Sequence, residues 1–298
     1  MSFKIAHFSD VHLGPLPPGL ALHDFKFKRV LGAISWHWNR KHLHDPNIAN
    51  ALQADILAMR PDHIAFTGDG VNIASPKEFP PLLRWMGGFG APDFLSFVPG
   101  NHDAYVKVAA EKSSDLFAPH IKGEMRGELA FPYVRLRRNV ALIGLNSAVP
   151  RGLHSAQGIL GRPQRQALSR QLVELQQKGF YRLVMIHHPP VLGTTTKLRE
   201  LIDAPELTSL LGEMGAELVI HGHNHRSQLN WITTGDRPIP VVGVPSATMA
   251  GPHHHAEWNL YTVTRSNGQW KTEMSIRRWN TAQQSFQFIS TTDLGGDI

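Results

Sequence analysis

Five short motifs of histidine, aspartate and asparagine most constrain the fold of this chain, because each directly follows a short apolar run. In chain order they are DVH from Asp10, GDGVN from Gly68, GNHD from Gly100, HHPP from His187 and GHNH from Gly222. The preceding runs at 5–8, 63–67, 94–98, 183–186 and 218–220 are typical of buried strands. Since the carboxyl ends of strands in an α/β sheet meet at one edge, we expect the motifs to converge in one crevice.

Further strands are expected at 140–145 and 241–244, and helical patterns lie between several of the runs. Asp45-Pro46 opens one helix with an N-cap and a first-turn proline, and others are predicted over 162–178 and about 204–214. Alternating strands and helices predict a layered α/β fold. The tail, 258–289, carries the hairpin signal Asn267-Gly268, which predicts C-terminal antiparallel strands that form a second, more antiparallel sheet. Without a repeat or a linker, we expect one domain over 1–298.

Composition narrows the chemistry and the location. The chain has no cysteine and 18 histidines, so a metal site must be built from His, Asp, Asn and water. The formal net charge of +6 favours anionic partners, although a generally basic solvated surface explains it as well. The amino terminus lacks the long apolar stretch of a secretory signal, so we expect a cytoplasmic protein.

Each motif is a weak signal alone, because a lone Asp-X-His or Gly-Asn-His-Asp fits a capped turn. Their joint occurrence after strands favours a catalytic metal site instead. Hydrolysis of a phosphodiester needs a nucleophile near neutral pH and cations beside the phosphoryl oxygens, which two adjacent metals supply. Asp69, between two glycines, is the natural carboxylate to bridge such a pair.

Together the motifs resemble the pattern of the calcineurin-like metallophosphoesterase superfamily. The resemblance runs from Asp10 to His225 and implies a four-layer α-β-β-α sandwich of two mixed sheets flanked by helices. It also implies two divalent metal ions (Mn, Fe or Zn) and a metal-activated water. By the resemblance the first metal is held by Asp10, His12, Asp69 and His225, and the second by Asp69, Asn101, His187 and His223.

The resemblance also suggests roles for residues beside the ligands. His102 would contact the scissile phosphate or protonate the leaving group, and Asp103 would orient the His102 ring or cap a turn. Candidate substrate contacts are Asn72, His188 and His254. For His188 the alternatives are support of the ligands or structural filler, and for His254 an exposed loop.

Two positions depart from the family pattern. Gly70 stands where related sequences usually carry a bulky apolar residue, and Asn72 replaces the acidic residue of the protein-phosphatase branch. Asn72 moves the resemblance toward bacterial phosphodiesterases, including those that act on cyclic nucleotides.

Between the first two motifs, the segment 22–45 is rich in basic and aromatic residues. As an amphipathic helix it would suit peripheral contact with the inner membrane or an acyl chain. A helix packed on the core or on the partner of a homodimer fits equally well.

Three functions remain open at this point. The first is a phosphodiesterase for cyclic nucleotides or similar small phosphoesters. The second is a membrane-surface hydrolase of a lipid-linked phosphoester or pyrophosphate, of the nucleotide-diacylglucosamine type, although His102 stands where that branch tends to carry Arg. The third is a non-catalytic scaffold, which the full ligand set disfavours. We expect no nucleic acid polymer as substrate, because a nuclease would usually need a capping domain.

Overall fold

The computed structural model describes residues 2–16, 44–104, 115–125, 130–152, 155–233, 237–249, 251 and 254–295. The strands are β1 Ser2–Phe8, β2 His63–Phe66, β3 Leu95–Phe97, β4 Tyr133–Arg137, β5 Val140–Gly144, β6 Tyr181–Met185, β7 Leu218–His221, β8 Gln228–Ile232, β9 Ile239–Gly243, β10 Glu257–Ser266, β11 Gln269–Asn280 and β12 Ser285–Asp293. The helices are α1 Pro46–Ala58, α2 Phe79–Gly87, α3 Ala118–Ile121, α4 Arg162–Gln177 and α5 Ala204–Met214, with short 3-10 helices at Pro92–Phe94 and Lys197–Arg199.

The described strands form two mixed sheets of six strands each. The first has the order β12-β11-β10-β1-β2-β3 and the second β4-β5-β6-β7-β9-β8. The pairs β1-β2 and β2-β3 are parallel in the first sheet, as are β5-β6, β6-β7 and β7-β9 in the second. The five motifs follow β1, β2, β3, β6 and β7, so they leave these parallel strands at their carboxyl ends.

Helices flank both sheets. One buried cluster joins apolar residues of α1 and α2 to both sheets, including Leu52, Trp85, Phe8 and Leu183. A second cluster joins α4 and α5 to β5, β6, β7 and β9. The predicted α/β sandwich of two mixed sheets flanked by helices is therefore confirmed.

Local sequence signals explain where the helices begin. The Asp45 side chain accepts a hydrogen bond from the Asn47 amide at 2.8 Å, and Pro46 occupies the first turn of α1. Proline also stands in the first turn of α4 and of α5. Among the described residues no helix has the length and apolar character needed to cross a membrane.

The carboxyl-terminal strands differ from the expectation. They form the predicted hairpin, with Asn267 at φ 50° and Gly268 at φ 82° in the turn. However, β10 pairs with β1 from Ser2↔Thr264 to His7↔Asn259, so these strands extend the first sheet. The expectation of a separate second antiparallel sheet was wrong. The basic aromatic segment 22–45 lies outside the described residues, except for His44 and Asp45.

Candidate metal centre

The structure brings all seven predicted ligands together at the carboxyl edge of the two sheets. On one side, the Asp10 Oδ1 atom lies 3.0 Å from the His225 Nε2 atom and 3.9 Å from the His12 Nε2 atom. The Asp69 Oδ2 atom lies 3.8 Å from the same His12 nitrogen. Asp10, His12 and His225 form a group whose ligand atoms could all hold one cation.

The other side of the cluster shares Asp69. The Asp69 Oδ2 atom lies 3.4 Å from the His187 Nε2 atom, which is 3.2 Å from both the Asn101 Oδ1 atom and the His223 Nδ1 atom. Asp69, His187 and His223 form a second group that could hold a cation. Since Asp69 belongs to both sides, its carboxylate has the position that a bridging ligand requires.

Hydrogen bonds to backbone carbonyls decide which nitrogen of each ring can bind metal. The Nδ1–H groups of His12 and His187 donate to Val71 O at 3.1 Å and Thr67 O at 2.7 Å, so each ring presents Nε2. His223 donates from Nε2 to Arg199 O at 2.9 Å and presents Nδ1. Such bonds fix ring tautomer and orientation in metal sites.

This arrangement supports a metal-binding role on physical grounds. The His187 Nε2 and His223 Nδ1 atoms face each other with lone pairs at 3.2 Å, an arrangement that is stable only with a cation or a proton between them. Burial opposes charge on His187, but the Asp69 and Asp10 carboxylates raise its pKa to about 9. The site therefore favours a positive charge between these atoms, and the residues fit a dinuclear centre.

Burial also tunes the other ligands. Burial, followed by the charges of His102 and His44, holds the pKa of His12 well below its usual range, so the imidazole is neutral. Burial alone would raise the pKa of Asp69, but His187 and His102 hold it well below its usual range. A neutral imidazole and an ionised carboxylate are the forms that bind metal.

The ligand loops have unusual backbone conformations. Five of the predicted ligands have positive φ angles, which L-residues rarely adopt: Asp10 at 54°, His12 at 43°, Asp69 at 56°, His223 at 70° and His225 at 52°. Backbone strain of this kind is typical of functional sites, where the surrounding structure maintains it. Among the described residues, these five account for half of the ten non-glycine residues with positive φ.

Glycines beside the ligands leave room for them. A Cβ atom on Gly100 would overlap the Asp69 carboxylate, and one on Gly222 would overlap Ser9 and Asp10. At Gly70, the position that departs from the family pattern, a Cβ atom would lie 2.5 Å from the Leu82 Cδ2 atom. The Leu82 side chain of α2 thus occupies the space beside Gly70.

His102 lies next to Asp69, the candidate bridging carboxylate. Its backbone N–H donates to the Asp69 Oδ1 atom at 2.7 Å, and its ring packs against His12 with centroids 4.8 Å apart. The ring Nδ1–H donates to the carbonyl of Asn72. The Asn72 side chain is buried and donates to Leu13 O at 3.2 Å. Asn72 therefore ties the first motif loop to His102, and its predicted contact with substrate stays a prediction.

Asp103 bonds to backbone rather than to the His102 ring. Its carboxylate accepts the amides of Asp69, Gly70, Val71 and Gly100 at 2.8 to 3.2 Å. Of the two sequence-based alternatives, turn capping is the one that these bonds fit. Burial and the Asp69 charge raise the pKa of Asp103 to about 7, and its amide bonds oppose that rise.

His188 is fully buried behind the second group of ligands. Its Nδ1 atom bonds to Ser147 Oγ at 2.8 Å, its Nε2 atom bonds to Ala156 O at 3.0 Å, and its ring packs on His223 with centroids 4.5 Å apart. Because protein groups occupy both nitrogens, a contact with substrate would require one of these bonds to break. The alternative of support for the ligands describes this position better.

His254 lies apart from these contacts. It is exposed, and two backbone hydrogen bonds with Gly251 close its turn. Within the described part of the chain, the hydrogen bonds of His254 are those of its backbone with Gly251. Its predicted contact with substrate therefore stays a prediction.

Two residues near the ligands were missed by the sequence analysis. The buried His44 ring lies 4.8 Å from that of His12, and its Nδ1 atom bonds to Thr248 Oγ1 at 2.9 Å. The Arg199 Nη2 atom donates to His223 O at 2.6 Å. Neither residue lies in a motif, so only the fold reveals their position.

A cavity of about 700 Å³ lies away from this centre. Its lining includes Tyr181, which begins β6, and Glu217, which precedes β7. The predicted ligands follow the other ends of the same strands. The cavity therefore opens at the opposite edge of the second sheet and contains none of the predicted site residues.

Comparison with known proteins agrees with this geometry. Residues 3–227 match the family model of the calcineurin-like phosphoesterases. The chain is 26% identical over 231 residues to a probable cyclic nucleotide phosphodiesterase of Synechococcus sp., covering 76% of this chain and 81% of that protein. A dimetal phosphatase from Danio rerio shares the fold, with a TM-score of 0.64, 14% identity and 98% of each chain covered. Purple acid phosphatase from yellow lupin seeds also shares the fold, with a TM-score of 0.59 and 10% identity. That match covers 98% of this chain and 53% of the lupin protein. Since the family model spans most of the sequence, the chain belongs to the calcineurin-like phosphoesterase family.

Proposed function

We propose that this metallophosphoesterase is a phosphodiesterase that hydrolyses cyclic nucleotides or similar small phosphodiesters. The observation that carries the proposal is that Asp69 belongs to two groups of metal-competent side chains, one with His12 and His102 and one with His187 and His223. The Gly-Asn-His-Asp motif, the amide at Asn72 and the similarity to a probable cyclic nucleotide phosphodiesterase favour a diester.

Two divalent metals would bind at the residues already described. Asp10, His12 and His225 would hold the first, Asn101, His187 and His223 would hold the second, and Asp69 would contribute to both. When bound, the metals supply a water that is nucleophilic near neutral pH and positive charge beside the phosphoryl oxygens. His, Asp and Asn ligands suit Mn, Fe and Zn, so anomalous scattering from crystals would identify the pair.

The chain itself contributes orientation and a proton. The Asn72 carbonyl holds the His102 ring through Nδ1, and Nε2 is the atom that would donate a proton to the leaving group. The backbone N–H of His102 bonds to the Asp69 Oδ1 atom at 2.7 Å, so the acid and the bridging carboxylate are held at a fixed separation. General acid catalysis of this kind typically contributes about 10²–10⁴-fold in rate.

The test compares bis(p-nitrophenyl) phosphate with p-nitrophenyl phosphate in the presence of Mn²⁺. We expect a higher kcat/KM for the diester, and loss of turnover for both substrates in Asp69→Asn. A panel of cyclic nucleotides, glycerophosphodiesters and nucleotide-linked lipids then identifies the substrate class. A preference for the monoester would contradict the diesterase assignment, and full activity of Asp69→Asn would contradict the metal centre.

A further inference from the structure

The segment 191–202, here called the rim segment, exposes large apolar side chains. Leu192 and Leu198 are each 56% exposed, and Ile202 is 42% exposed. Of the described large hydrophobic residues, only Phe288, at 59%, is more exposed than Leu192 and Leu198. Single exposed leucines are ordinary on soluble proteins. The rim segment carries three such residues within twelve positions.

The rim segment is attached to the candidate metal centre. Arg199 donates to His223 O at 2.6 Å, and the His223 ring donates to Arg199 O at 2.9 Å. The side-chain NH₂ group of Asn224 donates to Thr194 O at 3.1 Å. Leu198 immediately precedes Arg199, so this apolar side chain stands next to the residue that contacts a predicted metal ligand.

Exposed cations accompany the exposed leucines. Lys197 and Arg199 flank Leu198 in sequence, and the exposed Arg226 directly follows the predicted ligand His225. The half-buried Glu200 carries the only acidic side chain in the rim segment. An exposed leucine between two exposed cations fits an anionic lipid surface, because the apolar group can enter the interface while the cations face phosphate headgroups.

We propose that the rim segment docks this protein on an anionic lipid bilayer and so brings the metal centre close to the headgroups. The docking does not depend on which phosphoester the enzyme cuts, and it involves residues other than the segment 22–45. The contact is peripheral: the leucines enter the interface, and no part of the rim segment crosses the bilayer.

The test measures co-sedimentation of the full-length, metal-loaded protein with vesicles of phosphatidylcholine, with and without phosphatidylglycerol. We expect binding to the anionic vesicles. In the double variant Leu192→Ser/Leu198→Ser, the partition coefficient should fall at least ~10-fold, because two apolar side chains no longer enter the interface. The matched control is Phe288→Ser, which removes an equally exposed apolar side chain from the edge strand β12 and should leave binding within ~2-fold.

A second arm tests the charges. Lys197→Gln/Arg226→Gln should weaken binding to anionic vesicles by at least ~10-fold, and added salt should weaken binding of the unmodified protein. Circular dichroism and the thermal midpoint check that each variant is folded. Equal binding by the leucine double variant and the unmodified protein would overturn the proposal. The proposal would also be overturned if the unmodified protein bound neither kind of vesicle. In that event, a leucine variant that loses self-association or a protein partner would show that the rim segment binds protein and not lipid.

Discussion

The backbone N–H of Asp69 donates to the carboxylate of Asp103 at 2.8 Å. The same carboxylate accepts the amides of Gly70, Val71 and Gly100, so it joins the loop after β2 to the loop after β3. Asp69 and Asn101, two predicted metal ligands, lie on these two loops. The relative position of the ligands therefore depends on a buried side chain that need not bind metal itself.

Asp103→Asn should weaken metal binding without removing a ligand. Asparagine has one acceptor oxygen in place of two, and its NH₂ group would face an amide donor. We expect a loss of about 1–3 kcal/mol in the free energy of unfolding and about 10–100-fold weaker metal affinity. Chemical denaturation and metal titration measure the two quantities.

The matched control is Asp45→Asn, because the Asp45 carboxylate also accepts a backbone amide, from Asn47. Asparagine is as good an N-cap as aspartate, so this change should alter the free energy of unfolding by only about a few tenths of a kcal/mol. Undiminished metal affinity in Asp103→Asn would show that the four amide bonds are not needed to place the ligands.

His102→Ala should lower kcat by about 10²–10⁴-fold while both metals remain bound. Metal binding should survive because the contact between residue 102 and the Asp69 carboxylate comes from the backbone N–H, which alanine retains. The loss should be larger for an alkyl leaving group than for p-nitrophenolate, since a poor leaving group needs more protonation. Metal content by mass spectrometry and kcat for both esters test this, and an equal loss for both leaving groups would argue against general acid catalysis.

The packing of Leu82 beside Gly70 predicts a non-additive pair of substitutions. Gly70→Ala places a methyl group against the buried Leu82 side chain and should cost about 1–3 kcal/mol of stability. Leu82→Ala alone should cost about 2–5 kcal/mol through the cavity that it leaves.

In the double variant the new methyl group enters the space that Leu82 vacated, so the total loss should be smaller than the sum of the two. Gly87→Ala is the control, because a Cβ atom there meets nothing within 4 Å and alanine favours the helix. Urea unfolding of the four variants gives the coupling energy, and strict additivity would mean that the two residues do not compete for space.

The sequence allowed most strands and the meeting of the candidate ligands to be predicted, because each motif follows an apolar run, which is a local signal. Helix α5 was predicted over about 204–214, and it spans Ala204–Met214. Helix α2 was missed, although prolines stand in its first turn, since Glu78 before it makes no side-chain cap. The place of β10 could not be predicted, because its partner β1 lies at the other end of the chain.

Residues that support the ligands were harder to predict than the ligands. Arg199 reaches His223 through a backbone carbonyl, and His44 reaches Thr248 through a hydroxyl more than 200 positions away. No motif encodes either contact. The Asp103 side chain was predicted as a candidate site residue. Whether it bonds to the His102 ring or to backbone amides depends on how the loops after β2 and β3 pack together, which the sequence does not reveal.

The last prediction concerns acid stability and the buried His63. Its Nε2 atom bonds to Ser96 Oγ at 2.8 Å, and burial, followed by Arg135 and Arg137, holds its pKa well below the usual value. Below pH ~6.5 the unfolded chain binds a proton at this residue that the folded chain cannot accept. The free energy of unfolding therefore falls as the pH falls through this window, by up to about 1.4 kcal/mol per pH unit for this one group.

His63→Gln removes the group that binds this proton in the unfolded chain, while the glutamine side chain can still bond to Ser96. The pH dependence of the free energy of unfolding should be shallower in the variant below pH ~6.5 and parallel to that of the unmodified protein above pH ~7.5, where histidine is neutral in both states. Urea unfolding across this range measures both curves. Other buried histidines, such as His7 with a pKa of about 3, keep the remaining acid sensitivity. Two curves that stay parallel below pH ~6.5 would mean that folded His63 accepts the proton as readily as the unfolded chain does.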